Sequence, residues 1–192
     1  MEKSYNKYLQ ECIRENIKLK RNLLLRTGKI EEIADSIVKC YEEKGKVLIC
    51  GNGGSAADSQ HIAGELVGRF MLERKPLEAI ALTTDTSILT ALGNDYSFDY
   101  IFARQVAAYA KSGDILIGIS TSGNSSDVVN AFEKGKEIGT YNISLTGKGG
   151  GKLKGLSNIC FDIPSDDTPR IQEAHELTYH LICDLVEKKF FG

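Results

Sequence analysis

The chain has 192 residues, 42% of them hydrophobic and 26% charged, with 24 Lys+Arg against 26 Asp+Glu for a formal net charge of −2. That length and balance fit one globular domain spanning residues 1–192, and the missing basic excess argues against nucleic acid as a partner. No apolar run reaches the roughly 18–20 residues of a membrane span, and the opening Met1–Lys7 has no apolar secretion segment, so no membrane association and a cytoplasmic location are expected.

The first 44 residues read as two helices, the second marked by Ile30, Ile33, Ala34, Ile37, Val38 and Tyr41 on one face, with the break expected at Thr27-Gly28. Ten Lys/Arg against eight Asp/Glu in this region are too balanced for a DNA-reading arm. From residue 45 short apolar runs alternate with helical stretches. Strands are expected at Lys46–Cys50, Ala79–Leu82, Asp114–Ile119, Tyr141–Leu145 and Asn158–Ile163. They are rich in Ile, Val and Leu without polar alternation, the mark of strands covered on both faces. Helices are expected at about Ala56–Met71, Phe98–Lys111, Ser125–Ile138 and Pro169–Phe190. The order implies an α/β fold: a doubly wound, five-stranded parallel sheet with helices on both faces, preceded by the helical pair. Ligands of such sheets bind at the carboxyl ends of the strands, so chemistry is expected in the loops after Cys50, Leu82, Ile119 and Leu145. The five cysteines (Cys12, Cys40, Cys50, Cys160, Cys183) form no Cys-x-x-Cys pair, so neither a disulfide framework nor a thiolate metal site is indicated.

Gly51-Asn52-Gly53-Gly54-Ser55 follows the first strand and opens a helix, where glycines let a ligand approach the backbone and the helix N-terminus attracts an anion. It matches neither the dinucleotide fingerprint nor the P-loop, and a plain tight turn would look similar. Ser120-Thr121-Ser122-Gly123-Asn124-Ser125-Ser126 precedes another helix. Hydroxyls, amides and the helix dipole there can cradle a phosphate without lysine, although Ser125 or Ser126 can also serve only as a cap. His61 and Glu65 lie one turn apart on one helix face, about 6 Å along the axis, and can share a divalent ion. In the last helix Gln172, Glu176 and His180 form one stripe. Spacing does not choose between Gln172 and Glu176 as the partner of His180, and Gln172 lies about 12 Å from it along the axis, a reach that ligands from different subunits would relieve. Leu92-Gly93-Asn94-Asp95 reads as a turn, either structural or holding sugar hydroxyls. Gly147–Gly151 is the most flexible segment expected, with Lys148 solvated in it.

Taken together, Gly51–Ser55, His61-x-x-x-Glu65, Gly93-Asn94-Asp95, Ser120–Ser125, Leu145–Lys148 and Arg170–Glu173 with His180 resemble the sugar isomerase (SIS) domain family over nearly the whole chain. The resemblance implies a flavodoxin-like SIS fold and a cytoplasmic homotetramer with sites at subunit interfaces. The closest pattern within the family is that of members interconverting sedoheptulose 7-phosphate and D-glycero-D-manno-heptose 7-phosphate, which feed lipopolysaccharide, capsule or surface glycans. Carried over by position, it implies one Zn²⁺ per subunit on His61, Glu65, Gln172 and His180. It further implies substrate contacts from Asn52, Gly53, Gly54, Ser55, Glu65, Asn94, Asp95, Ser120, Thr121, Ser122, Ser125 and Gln172. Glu65 as base and His180 as acid would then move protons through an enediol. Two other relatives share the scaffold: a non-catalytic tetramer that binds the replication initiator protein, and phosphosugar-sensing regulators with an added helix-turn-helix. The first lacks counterparts of Glu65 and His180, and the near-balanced N-terminal region leaves no room for the second's extra domain. The chain departs from many members at Pro169, which fits the first turn of a helix capped by Thr168.

Overall fold

Each strand is an unbroken apolar run whose successive side chains point to opposite faces, so each needs cover on both. The computed structural model, described for residues 5–192, supplies that cover with helices. The chain runs α1 (Asn6–Leu23), α2 (Thr27–Glu42), β1 (Val47–Gly51), α3 (Gly54–Val67), β2 (Ala79–Ala81), α4 (Thr86–Asp95), α5 (Ile101–Tyr109), β3 (Ile115–Ser120), α6 (Ser126–Ile138), β4 (Tyr141–Thr146), β5 (Ile159–Asp162) and α7 (Thr168–Phe191), with short 3₁₀ turns at Phe98–Tyr100 and Lys152–Leu156. The five strands are all parallel in the order β2-β1-β3-β4-β5. That order reverses between β1 and β3 and opens a crevice at their carboxyl ends, the usual ligand position in a doubly wound sheet.

Alternation within β1 shows the layering. Val47 and Ile49 pack with Ile33 and Ile37 of α2, Ile62 and Leu66 of α3, and Tyr179, Ile182 and Val186 of α7. Leu48 and Cys50 face the other way, onto Phe102 and Val106 of α5 and Val128 and Phe132 of α6. α1 lies outside, held to α7 by Arg170, which donates to the Cys12 carbonyl at 3.1 Å, and by Asn16, which donates to Glu173.

The expected elements are present, with local corrections. The break between the first two helices falls at Leu24–Arg26, and Thr27-Gly28 already belongs to α2, because the amides of Leu24, Leu25 and Arg26 close tight turns on Arg21, Asn22 and Leu23 carbonyls. The expected turn at Leu92–Asp95 is the last turn of α4, a helix started by Asp85, whose carboxylate accepts from the Ile88 amide at 2.9 Å. α7 is preceded by Asp167, so Thr168 is the first helical residue rather than the cap. The glycine run is pinned: Leu153 donates to the Gly123 carbonyl, and Lys148 pairs across the surface with Asp166 at 3.2 Å.

His175 sits fully buried where α7 crosses the end of β4, and its Nε2 donates to the Thr146 carbonyl at 3.0 Å. Burial pushes its pKa down to about 4, so the folded chain keeps it neutral. The unfolded chain takes up that proton first, at about pH 6.5. Stability is therefore full above that pH and falls, by up to about 3 kcal/mol, as pH drops towards 4. Denaturant titrations at stepped pH should show this loss in the wild type and its absence in His175→Gln.

Candidate active site

The site is built on α3 and α7. His61 and Glu65, one turn apart on α3, bring Nε2 and Oε1 to 3.0 Å. Across from them His180 of α7 places its Nε2 3.4 Å from the same His61 nitrogen. Glu176, one turn earlier on α7, brings a carboxylate oxygen within 4.8 Å of both imidazoles. Gln172, one turn earlier still, lies against the first turn of α3, where a Cβ on Gly54 would collide with its amide nitrogen. A side chain at 54 would thus displace the Gln172 amide from its place against α3. Gly54, Ala57 and Asp58 of α3 and Gln172 and Glu176 of α7 line one open cleft of about 350 Å³.

A residue pair absent from the sequence reading orients His61. The Tyr179 hydroxyl lies 3.0 Å from His61 Nδ1 and donates to Asp58 Oδ1 at 3.3 Å. Burial, with the Asp58 carboxylate beside it, pushes the tyrosine pKa up, so the hydroxyl keeps its proton. Burial also raises Asp58, while the Tyr179 hydrogen bond works the other way.

A second missed pair fixes the two helices together. Buried Glu187 of α7 accepts the amides of Phe70, Met71 and Leu72 and the Arg74 Nε, at 2.6 to 3.0 Å. Arg74 in turn donates to the Glu65 and Leu66 carbonyls at 2.7 Å, satisfying the end of α3 that carries Glu65. The loop so held sets the Phe70 ring 5.7 Å from that of His180, walling the site.

The loop after β3 is shaped for an anion. Ser120 Oγ meets Ser125 Oγ at 2.9 Å and Ser122 Oγ at 3.4 Å. Ser125 precedes α6 but makes no side-chain cap bond, so its hydroxyl is left to its contact with Ser120. Gly123 adopts φ +65°, and a Cβ there would strike the Gly150 backbone, which packs directly against it. Asp127, buried in the first turn of α6, accepts both bonds from Asn52 Nδ2 at 3.1 and 2.8 Å and ties the glycine loop to the hydroxyl loop. Ser55 is buried at the start of α3, and its amide is committed to the Asn52 carbonyl. Asn94 and Asp95 are exposed at the end of α4 and pair with each other at 2.8 Å.

The donor set fits a divalent cation. Two imidazole nitrogens 3.4 Å apart match the ligand–ligand edge of a tetrahedron whose metal–nitrogen bonds are about 2.0–2.1 Å. A carboxylate oxygen completes a convergence of lone pairs that repel unless a cation or proton lies among them.

The chain matches the SIS domain family over residues 8–147. It is 51% identical over 188 residues to the phosphoheptose isomerase of Clostridium acetobutylicum, with 96% of each chain covered. It is 52% identical over 172 residues to that of Helicobacter pylori, with 90% of each covered. The solved phosphoheptose isomerase of Neisseria gonorrhoeae superposes with TM-score 0.88 at 41% identity, covering 95% of this chain and 99% of that one.

Removing one member of a buried ion pair strands the other charge, at a cost of about 3–5 kcal/mol. Glu187→Ala should lower the unfolding free energy by that order in denaturant titration, a loss far larger than that of the exposed Asp166→Ala.

Proposed function

The chain belongs to the SIS domain family, and from that premise we propose that it interconverts sedoheptulose 7-phosphate and D-glycero-D-manno-heptose 7-phosphate as an aldose–ketose isomerase. The observation that carries this reading is His61 of α3 meeting both its neighbour Glu65 and His180 of α7, in a chain about half identical to phosphoheptose isomerases over nearly its whole length. No described helix is long and apolar enough to cross a membrane, in keeping with a cytoplasmic enzyme acting on a phosphorylated seven-carbon sugar. The reaction is the first step towards activated heptose for lipopolysaccharide, capsule or surface glycans.

The whole chain acts as one SIS domain. Ser120, Thr121, Ser122 and Ser125, with the start of α6, hold the phosphate. Asn52, Gly53, Gly54 and Ser55 flank it, and Asn94 and Asp95 take sugar hydroxyls. Binding energy from the phosphate, remote from the reacting carbons, orients them between α3 and α7. Glu65 removes the proton from the carbinol carbon beside the carbonyl, and His180 supplies a proton to the carbonyl oxygen. The resulting enediol is reprotonated on the former carbonyl carbon by protonated Glu65, while the hydroxyl on the other carbon returns its proton to His180 and becomes the new carbonyl; the roles exchange in the reverse direction. One Zn²⁺ per subunit suits His61, Glu65, Gln172 and His180, and when bound it supplies Lewis acidity towards the substrate carbonyl. Glu65 would thus both hold the cation and act as the base. Glu176 competes with Gln172 for the fourth position, and the resemblance favours Gln172, which already lies on the glycine loop.

A homotetramer with sites at subunit interfaces is supported by the exposed Tyr8, Leu9, Ile13 and Ile17 of α1 and by Leu24 and Leu25 after it, an apolar surface that nothing in the single chain covers.

Purified protein incubated with sedoheptulose 7-phosphate should yield the aldoheptose phosphate by NMR, and chelation should abolish turnover until Zn²⁺ is restored. Glu65→Gln and His180→Gln should each retain less than a tenth of wild-type turnover, a loss above about 1.4 kcal/mol of transition-state stabilisation. Retention of more than that would remove the residue from the role assigned.

A further inference from the structure

Tyr179 is almost wholly buried in α7, yet its hydroxyl reaches two polar groups of α3, Asp58 and His61, on either side. A phenol carries one hydrogen, so it can donate to only one of them. Asp58 decides which. Its carboxylate has the Tyr179 hydroxyl as its side-chain donor, and its other oxygen, Oδ2, is buried without a partner among the described residues. Giving the hydrogen to His61 instead would leave a half-buried carboxylate facing a phenol lone pair at 3.3 Å with neither oxygen satisfied. With the hydrogen on the Asp58 side, the phenol oxygen is an acceptor at 3.0 Å from His61 Nδ1, so that nitrogen bears hydrogen, while Nε2 faces the Glu65 carboxylate at 3.0 Å and bears one only when no cation takes its place.

We propose that Asp58 and Tyr179 are positioning residues that keep a hydrogen on His61 Nδ1, so that Nε2, beside Glu65 and His180, is the nitrogen offered to a cation. The inference rests on the metal reading above and extends it to the second layer of the site. The ring is also held in place: Tyr179 packs edge-on at 5.3 Å from the His61 centroid and 5.0 Å from that of His180. The two contacts set both the angle and the protonation of the ring, the arrangement by which an outer hydrogen bond raises the ligand strength of an imidazole. The lock spans the two helices, so it forms only when α3 and α7 are docked.

The test reads the ring nitrogen directly in the full-length, metal-stripped chain. With three histidines in the sequence, ¹⁵N–¹H correlation above the imidazole titration range, assigned with His61→Gln, reports which nitrogen bears hydrogen. The wild type should show Nδ1–H at His61. Tyr179→Phe keeps the buried ring but removes the oxygen. Asp58→Ala frees the hydroxyl to donate to Nδ1. Both should lower the Nδ1–H population at His61 and weaken Zn²⁺ binding by about 10–100-fold in competition with a chromophoric chelator. Asp58→Asn, which keeps an acceptor oxygen, should recover much of both. Asp58 lies near the helix surface, so its variants give the same reading if Tyr179→Phe does not fold. An Nδ1–H at His61 that persists unchanged in Tyr179→Phe and Asp58→Ala, zinc affinity within twofold of wild type, or a wild type without Nδ1–H at His61 would each overturn the lock. A wild type with Nδ1–H that binds no zinc would uphold the lock and defeat the metal reading instead.

Discussion

The geometry of the site depends on one buried ion pair, Arg74 with Glu187, at the far ends of the two helices that carry its reactive groups. Glu187 belongs to α7, and Arg74 closes the carbonyl end of α3. Separating the pair would leave two charges desolvated, and sliding one helix along the other would break the four hydrogen bonds that Glu187 accepts at once. The axial register of α3 against α7 is therefore set at that end. The same register brings His61 and His180 to 3.4 Å and the Tyr179 hydroxyl between Asp58 and His61.

The hydroxyl-rich loop after β3 answers a different physical demand. A phosphate needs several donors in one place, and the crevice where the sheet order reverses gathers the loops after β1 and β3 there without further machinery. Asp127 joins them by holding Asn52. The Gly123–Gly150 contact presses the loop after β4 beneath the serines. The hydroxyls of Ser120, Ser122 and Ser125 touch one another, so their donors can turn outward to a ligand without breaking any capping bond of α6.

Much of the architecture was legible in the sequence because it is local. Apolar runs of strand length alternating with helical periods leave little choice but a doubly wound parallel sheet, and the strand limits differ from expectation by about a residue. Errors fell where short turn chemistry governs. Thr27-Gly28 read as a break from the presence of glycine, yet the turn is made by three preceding amides. Leu92–Asp95 read as a turn from its Gly-Asn-Asp composition, yet the cap at Asp85 carries the helix through it. Thr168 read as a cap, yet Asp167 takes that position.

By itself the sequence determined the order of elements, the hydroxyl-rich and glycine-rich loops at the strand ends, and the pairing of His61 with Glu65, since one helical turn of spacing places two side chains together in any α-helix. Only the tertiary structure decided which α7 residues meet α3. His180 opposite His61, Tyr179 against Asp58 and Glu187 with Arg74 are separated by 119, 121 and 113 residues in the chain. Contacts at such separations follow from the depth and register at which two helices dock on one sheet face. No local period encodes that register; the packing of Ile62, Leu66, Tyr179, Ile182 and Val186 in a shared core does.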